Sequence, residues 1–131
     1  ASCGLDNRTC ALRLIGGKPE AQRIEYRVPG ADTNPYLAIS AALASGLYGV
    51  EHKLEPLPFI KGNAYETTLT SEYQLPRTLF EAAQRFRESS MAREYFGDAF
   101  VDDYATSREF EATQASKQVT NWQLKRYFES A

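Results

Sequence analysis

The chain has 131 residues, 43% of them hydrophobic and 24% charged, which fits one folded domain with a real core and excludes a disordered tail. A net charge of −2 and a pI near 5.5 exclude a general nucleic-acid or membrane-surface binder. The charge is uneven, however. Residues 7–28 hold five cations (Arg8, Arg13, Lys18, Arg23, Arg27) against Glu20 and Glu25, a local +3 that leaves −5 for the rest. Such a patch on an acidic protein suits a small anionic ligand better than a long polyanion.

Cys3 and Cys10 open the chain with a spacing that fits neither CxxC nor a zinc framework, so they read as buried, reduced thiols of a cytoplasmic protein. Residues 9–15 (TCALRLI) and 23–28 (RIEYRV) are short β-branched and aromatic runs separated by GGKPE, which predicts two antiparallel strands. In the second, Ile24, Tyr26 and Val28 take one face and Arg23, Glu25 and Arg27 the other, because strand side chains alternate. Pro29-Gly30 ends it.

Asn34 is a good N-cap and Pro35 a good first residue for a helix that reads YLAISAALASGLYGV. No charge interrupts the 16 residues from Pro35 to Val50, which are too few and too rich in Ala, Ser and Gly for a membrane span. A surface helix carries a polar stripe and this one has none, so burial on all sides is expected. Full burial of Leu37, Ile39, Leu43, Leu47 and Val50 stabilises by roughly 1.5–3 kcal/mol each. His52, the only histidine, closes the helix, where its protonated form interacts favourably with the helix dipole.

Residues 53–76 contain Pro56, Pro58, Gly62 and Pro76 and predict an irregular connection. Thr78 and Glu81 then form a T-x-x-E capping signal, with Leu79, Ala82, Ala83 and Phe86 on one helical face. A short helix follows around Met91 to Phe96. Asp98 is the expected cap of the next helix, which carries Phe100, Val101 and Tyr104, and Thr120 with Gln123 caps a last one bearing Trp122, Tyr127 and Phe128. The fold class is therefore α+β: a short two-stranded antiparallel hairpin followed by a mainly helical segment. Residues 1–55 hold the strands and the buried helix, and 56–131 the connection and C-terminal helices. The missing initiator Met and the helix without a polar face lead us to expect the carboxyl-terminal piece of a larger protein.

Arg23-x-Glu25-x-Arg27 by itself describes a solvated ladder of alternating charges as well as a site. Arg13 on the neighbouring strand and Arg8 just before it raise the number of guanidiniums to four around one carboxylate, more than one glutamate needs. Arginine recognises phosphate and carboxylate in a planar, bidentate way, and a lone Glu can set a hard cation against phosphate oxygens. No glycine-rich phosphate loop of the GxxxxGK[ST] or GxGxxG type is present, and one histidine cannot build an all-protein histidine metal site.

DNRTCALR at 6–13, QRIEYRVPGADTNPYLA at 22–38 and ASGLYGVE at 44–51 resemble the end of the catalytic domain of the glutamine synthetase family. The likeness is strong over 4–55 and looser over the helical tail. GADxNPYL, GLYGVE and LPRTLFEA…FGDAFV look most like the γ-glutamylpolyamine and γ-glutamylmethylamide synthetase branches. The resemblance implies an ATP-dependent ligase that phosphorylates the γ-carboxylate of glutamate and lets ammonia or a small amine displace the phosphate. It implies Mg²⁺ or Mn²⁺ with Glu25 as a metal ligand, and Arg27 at the transferring phosphoryl group and the glutamate. Arg8 would stabilise the charge of phosphoryl transfer, and Arg13 and Arg23 would bind nucleotide phosphates. It implies partners in the remainder of the same polypeptide and in a homo-oligomer with active sites between subunits, but neither nucleic acid nor membrane.

The pattern departs from the family at Thr9, where Ser is commoner, and around Tyr65, whose NAYETTL surroundings differ from the modified-tyrosine site of some bacterial members. The remaining metal carboxylates, the nucleotide-binding histidine segment and the loop with the proton-accepting glutamate lie upstream in the family, so the chain alone is expected to be inactive. The competing reading is a non-catalytic helical interaction or oligomerisation module with a salt-bridged strand.

Overall fold

A computed structural model describes residues 1–130. It contains two compact units, residues 1–75 and Pro76 onward.

The first unit is built on a three-stranded sheet in the order β1 (Cys3–Leu5), β2 (Leu12–Ile15), β3 (Arg23–Tyr26). β2 and β3 pair antiparallel as expected, but β1 adds a third strand, parallel to β2 with Cys3 opposite Leu12. The two-stranded reading therefore needs correction. A three-residue strand containing Gly4 carries no alternation to read, and a parallel pair normally needs a longer crossover than Asp6–Ala11 provides. What makes it possible is close packing. A Cβ on Gly4 would lie 2.9 Å from the Asn7 Cβ and 3.1 Å from the Ile60 carbonyl oxygen. Cys3 and Cys10 are buried and free, and the Cys3 thiol donates to the Leu57 carbonyl at 3.2 Å. Burial, then the neighbouring Cys10, pushes the Cys3 thiol pKa up, which keeps it unreactive.

α1 (Pro35–Glu51) starts as predicted, with the Asn34 side chain accepting from the Tyr36 and Leu37 amides. It ends in a Schellman arrangement, in which the amides of Lys53 and Leu54 donate to the carbonyls of Val50 and Gly49. Lys53 takes the left-handed position at φ 49°. The His52 ring stacks on Tyr48 at 3.9 Å between centroids. The expected burial of α1 is not met within this chain: Ala44 alone is buried, while Ile39, Leu43, Leu47 and Val50 are more than half exposed. Three short strands provide no second layer broad enough to enclose a 17-residue apolar helix. The 53–76 connection is irregular as predicted, broken by 3₁₀ turns at Ala64–Glu66 and Ser71–Tyr73.

In the second unit, α2 (Leu79–Glu88), α3 (Ser90–Phe96) and α4 (Asp98–Ser116) pack around Ala83, Ala92, Val101 and Ala105, all buried. Phe86 sits among the rings of Phe96, Phe100 and Tyr104 at 5.7–6.5 Å. Thr78 caps α2 through the Glu81 amide, but Glu81 reaches back to the Arg77 amide rather than that of Thr78. Asp98 does not cap α4. Gly97, at φ 78°, takes that position, and the Asp98 carboxylate accepts from Arg93 at 2.7 Å instead. Arg87 and Arg93 bridge to Glu109 and Asp102 on α4 at 2.9 and 2.8 Å. α5 (Asn121–Tyr127) carries the full Thr120–Gln123 capping box.

Candidate functional site

The antiparallel register sets Arg13 directly opposite Glu25, so the two side chains leave the same face of the sheet as a cross-strand pair. Arg13 donates from Nη1 to Glu25 Oε2 at 2.7 Å. Arg27, two residues along, donates to the other oxygen, Oε1, and its own amide continues the ladder to the Ala11 carbonyl at 2.9 Å. One guanidinium thus sits on each carboxylate oxygen. These bonds, Arg13 first and Arg27 second, hold the Glu25 carboxyl below the usual carboxylate range.

The other two predicted arginines do not join this cluster. Arg23 lies opposite Ile15 at the strand end and donates to the Ala21 carbonyl at 3.1 Å. Arg8 is exposed and makes no ion pair among the described residues. The expectation of four guanidiniums around one carboxylate is corrected to two: Arg13 and Arg27 take one Glu25 oxygen each, and Arg23 turns to the Ala21 carbonyl at the strand end.

Sequence reasoning missed Asp6. It accepts from Arg13 Nε at 2.9 Å and also from Nη2, so Arg13 bridges Asp6 and Glu25. The hydrogen bonds and charge of Arg13, with a further contribution from Arg8, hold the Asp6 carboxyl below its ordinary value. The Asp6 backbone is left-handed, φ 47°, a conformation Asp tolerates better than most residues. This acid directly precedes Asn7-Arg8-Thr9, but nothing in its spacing ties it to Arg13. Only the loop between β1 and β2 does.

Asn7 was not singled out, and Thr9 only as a departure from serine, yet the two side chains explain the triplet. The Asn7 amide donates to the carbonyls of Ile60 (3.2 Å) and Gly62 (2.8 Å), and its oxygen accepts from the Thr9 amide and hydroxyl. The Thr9 hydroxyl accepts from the Ala64 amide at 2.8 Å. Both flanking side chains hold the 60–64 segment, while Arg8 between them stays exposed. Serine would offer the same hydroxyl, so Thr9 preserves the function of the commoner residue.

The donor set can be tested against a metal and a phosphate. An ionised carboxylate has about four lone-pair positions; the two guanidiniums occupy one on each Glu25 oxygen, and the side chain is 37% exposed. Glu25 therefore fits as one ligand of a divalent cation. Among the described residues no group of three His, Cys, Asp or Glu side chains could hold a metal by itself. Arg13 commits three of its five donors and Arg27 one, which leaves N–H groups on both for an anion. No helix among the described residues is long and apolar enough to cross a membrane.

The cross-strand carboxylate–guanidinium cluster sits in a mixed α+β segment, with N–H donors left over on Arg13 and Arg27 and one acidic group, Glu25, between them. Residues 1–127 match the family model of the glutamine synthetase catalytic domain, and the chain belongs to that family. It is 49% identical to a glutamate–isopropylamine ligase of a Pseudomonas species, over 98% of this chain and 28% of the relative. It is 47% identical to type-1 glutamine synthetase 2 of Dictyostelium discoideum, over 96% of this chain and 24% of that one. A γ-glutamylethanolamide synthetase of Streptomyces coelicolor is 42% identical, over 96% and 26%. The chain thus spans about a quarter of the length of these relatives.

Proposed function

We propose that this chain forms one wall of the active site of an ATP-dependent ligase that joins ammonia or a small primary amine to the γ-carboxylate of glutamate. The Arg13–Glu25–Arg27 cluster, inside the segment that matches the glutamine synthetase catalytic domain, carries this reading. A relative named for joining isopropylamine to glutamate and another named for a γ-glutamylethanolamide product support an amine as acceptor.

In this reading a γ-carboxylate oxygen of glutamate attacks the terminal phosphorus of ATP and ADP leaves, giving a γ-glutamyl phosphate. The amine nitrogen then attacks the carbonyl carbon, phosphate departs, and the surplus proton goes to a base outside this chain. Phosphoryl transfer is catalysed mainly by positioning and charge neutralisation, which is what guanidiniums supply. Arg27 holds the transferring group and the glutamate, Arg8 offsets the charge that builds during transfer, and Arg13 and Arg23 hold nucleotide phosphates. Glu25 contributes one ligand to a Mg²⁺ or Mn²⁺ ion, which when bound neutralises phosphate charge. Other ligands come from outside this segment, so the segment alone is inactive.

The test is Glu25→Gln in the full-length protein, with ADP release measured on glutamate plus ammonia, methylamine, isopropylamine, ethanolamine or putrescine. Loss of ADP release with every acceptor is expected, and wild-type rates in the variant refute the assignment. The exposed apolar side of α1 also suits an interaction module, and that alternative predicts no dependence on Glu25.

A further inference from the structure

Asp6 is the one group in the cluster to which neither the sequence pattern nor the proposed chemistry gives a role. Its side chain is 75% exposed, so it does not support the core. It nonetheless takes both the Nε and Nη2 donors of Arg13, leaving only Nη1 on Glu25. Without Asp6, the Arg13 fork is free to turn and pair side-on with Glu25, the geometry guanidinium and carboxylate prefer. Arg13 would then cover lone pairs that a cation needs. Charge acts in the same direction. Asp6 and Glu25 balance Arg13 and Arg27, and losing one carboxylate leaves a net positive cluster with Arg8 nearby.

We propose that Asp6 is a positioning residue that restrains the Arg13 guanidinium and so keeps Glu25 available to a divalent cation. The proposal rests on Glu25 being a metal ligand, and it adds that the residue before the Asn-Arg-Thr triplet sets metal affinity through Arg13.

The experiment uses the full-length protein and Mn²⁺ as the probe, with free Mn²⁺ counted by electron paramagnetic resonance and activity followed against metal concentration. Asn is the right replacement at Asp6, since it keeps the shape and tolerates the left-handed backbone. Asp6→Asn is expected to weaken Mn²⁺ binding about tenfold, the low end for partners that orient metal ligands. Excess metal should recover most of the turnover. In an Arg13→Gln background the same substitution should have a much smaller effect, the charge contribution alone, because Asp6 acts mainly through Arg13. Unchanged Mn²⁺ affinity in Asp6→Asn, or an equal loss with and without Arg13, overturns the proposal. Glu25→Gln separates the two readings. If it removes a Mn²⁺ site while Asp6→Asn binds normally, the Asp6 proposal alone fails. If Glu25→Gln binds normally, the metal assignment fails and the Asp6 proposal with it.

Discussion

Replacing Thr9 by valine tests how the triplet holds Arg8 in place. Valine keeps the shape of threonine and removes only the hydroxyl, which accepts from the Ala64 amide and donates to the Asn7 side chain. An N–H left without its partner costs roughly 1–3 kcal/mol, and losing an ordinary hydrogen bond costs about 0.5–1.5 kcal/mol. The Asn7 oxygen still accepts from the residue-9 amide, so the second loss is partly offset. A combined cost of about 2–3 kcal/mol follows from those figures, which corresponds to about 30- to 150-fold faster local opening at 1.4 kcal/mol per tenfold. Hydrogen exchange followed by mass spectrometry on the full-length protein should show this acceleration in the peptide spanning 60–66. Peptides from α1 serve as the internal control. Thr9→Ser should exchange like the wild type, since it restores both bonds. The reasoning is refuted if Thr9→Val leaves 60–66 equally protected, or if Thr9→Ser opens it as much.

Val101 is fully buried between α4 and its neighbours, and Val101→Ala should cost about 2–3 kcal/mol from lost transfer energy plus a cavity, read as a lower denaturant midpoint. The Asp6 and Glu25 carboxyls are held low by Arg13 in the folded state. Their stabilisation is therefore present above the unfolded carboxyl range near about pH 4 and disappears as pH falls through the lower folded values. In Arg13→Gln, NMR titration should show both carboxyls moving up toward ordinary values, Asp6 the further because Arg27 still serves Glu25. Unmoved titrations refute the assigned cause.

The elements that local chemistry controls were legible. Asn34-Pro35 starts α1, Thr120 and Gln123 close their box, and the turn residues between β2 and β3 set the antiparallel pair. Elements that depend on distant partners were not. β1 exists because Gly4 permits close packing against Asn7 and Ile60 and because the Ile60 amide reaches the Cys3 carbonyl at 2.9 Å. The displacement of the α4 cap from Asp98 to Gly97 came from Arg93, five residues away, competing for the carboxylate.

The site divides along the same line. The sequence by itself determined that Glu25 and Arg27 share a strand face, since alternation is a property of the extended backbone. It also determined that α1 lacks a polar stripe, whatever covers it. Only the tertiary structure decided which guanidiniums reach Glu25. Register put Arg13 across from it, Arg13 and Arg27 took its two oxygens while Arg23 turned to the Ala21 carbonyl, and the turn after β1 brought Asp6 onto Arg13. The reason is physical: a long, flexible arginine side chain goes to the strongest acceptor within reach, and reach is set by folding, not by position along the chain.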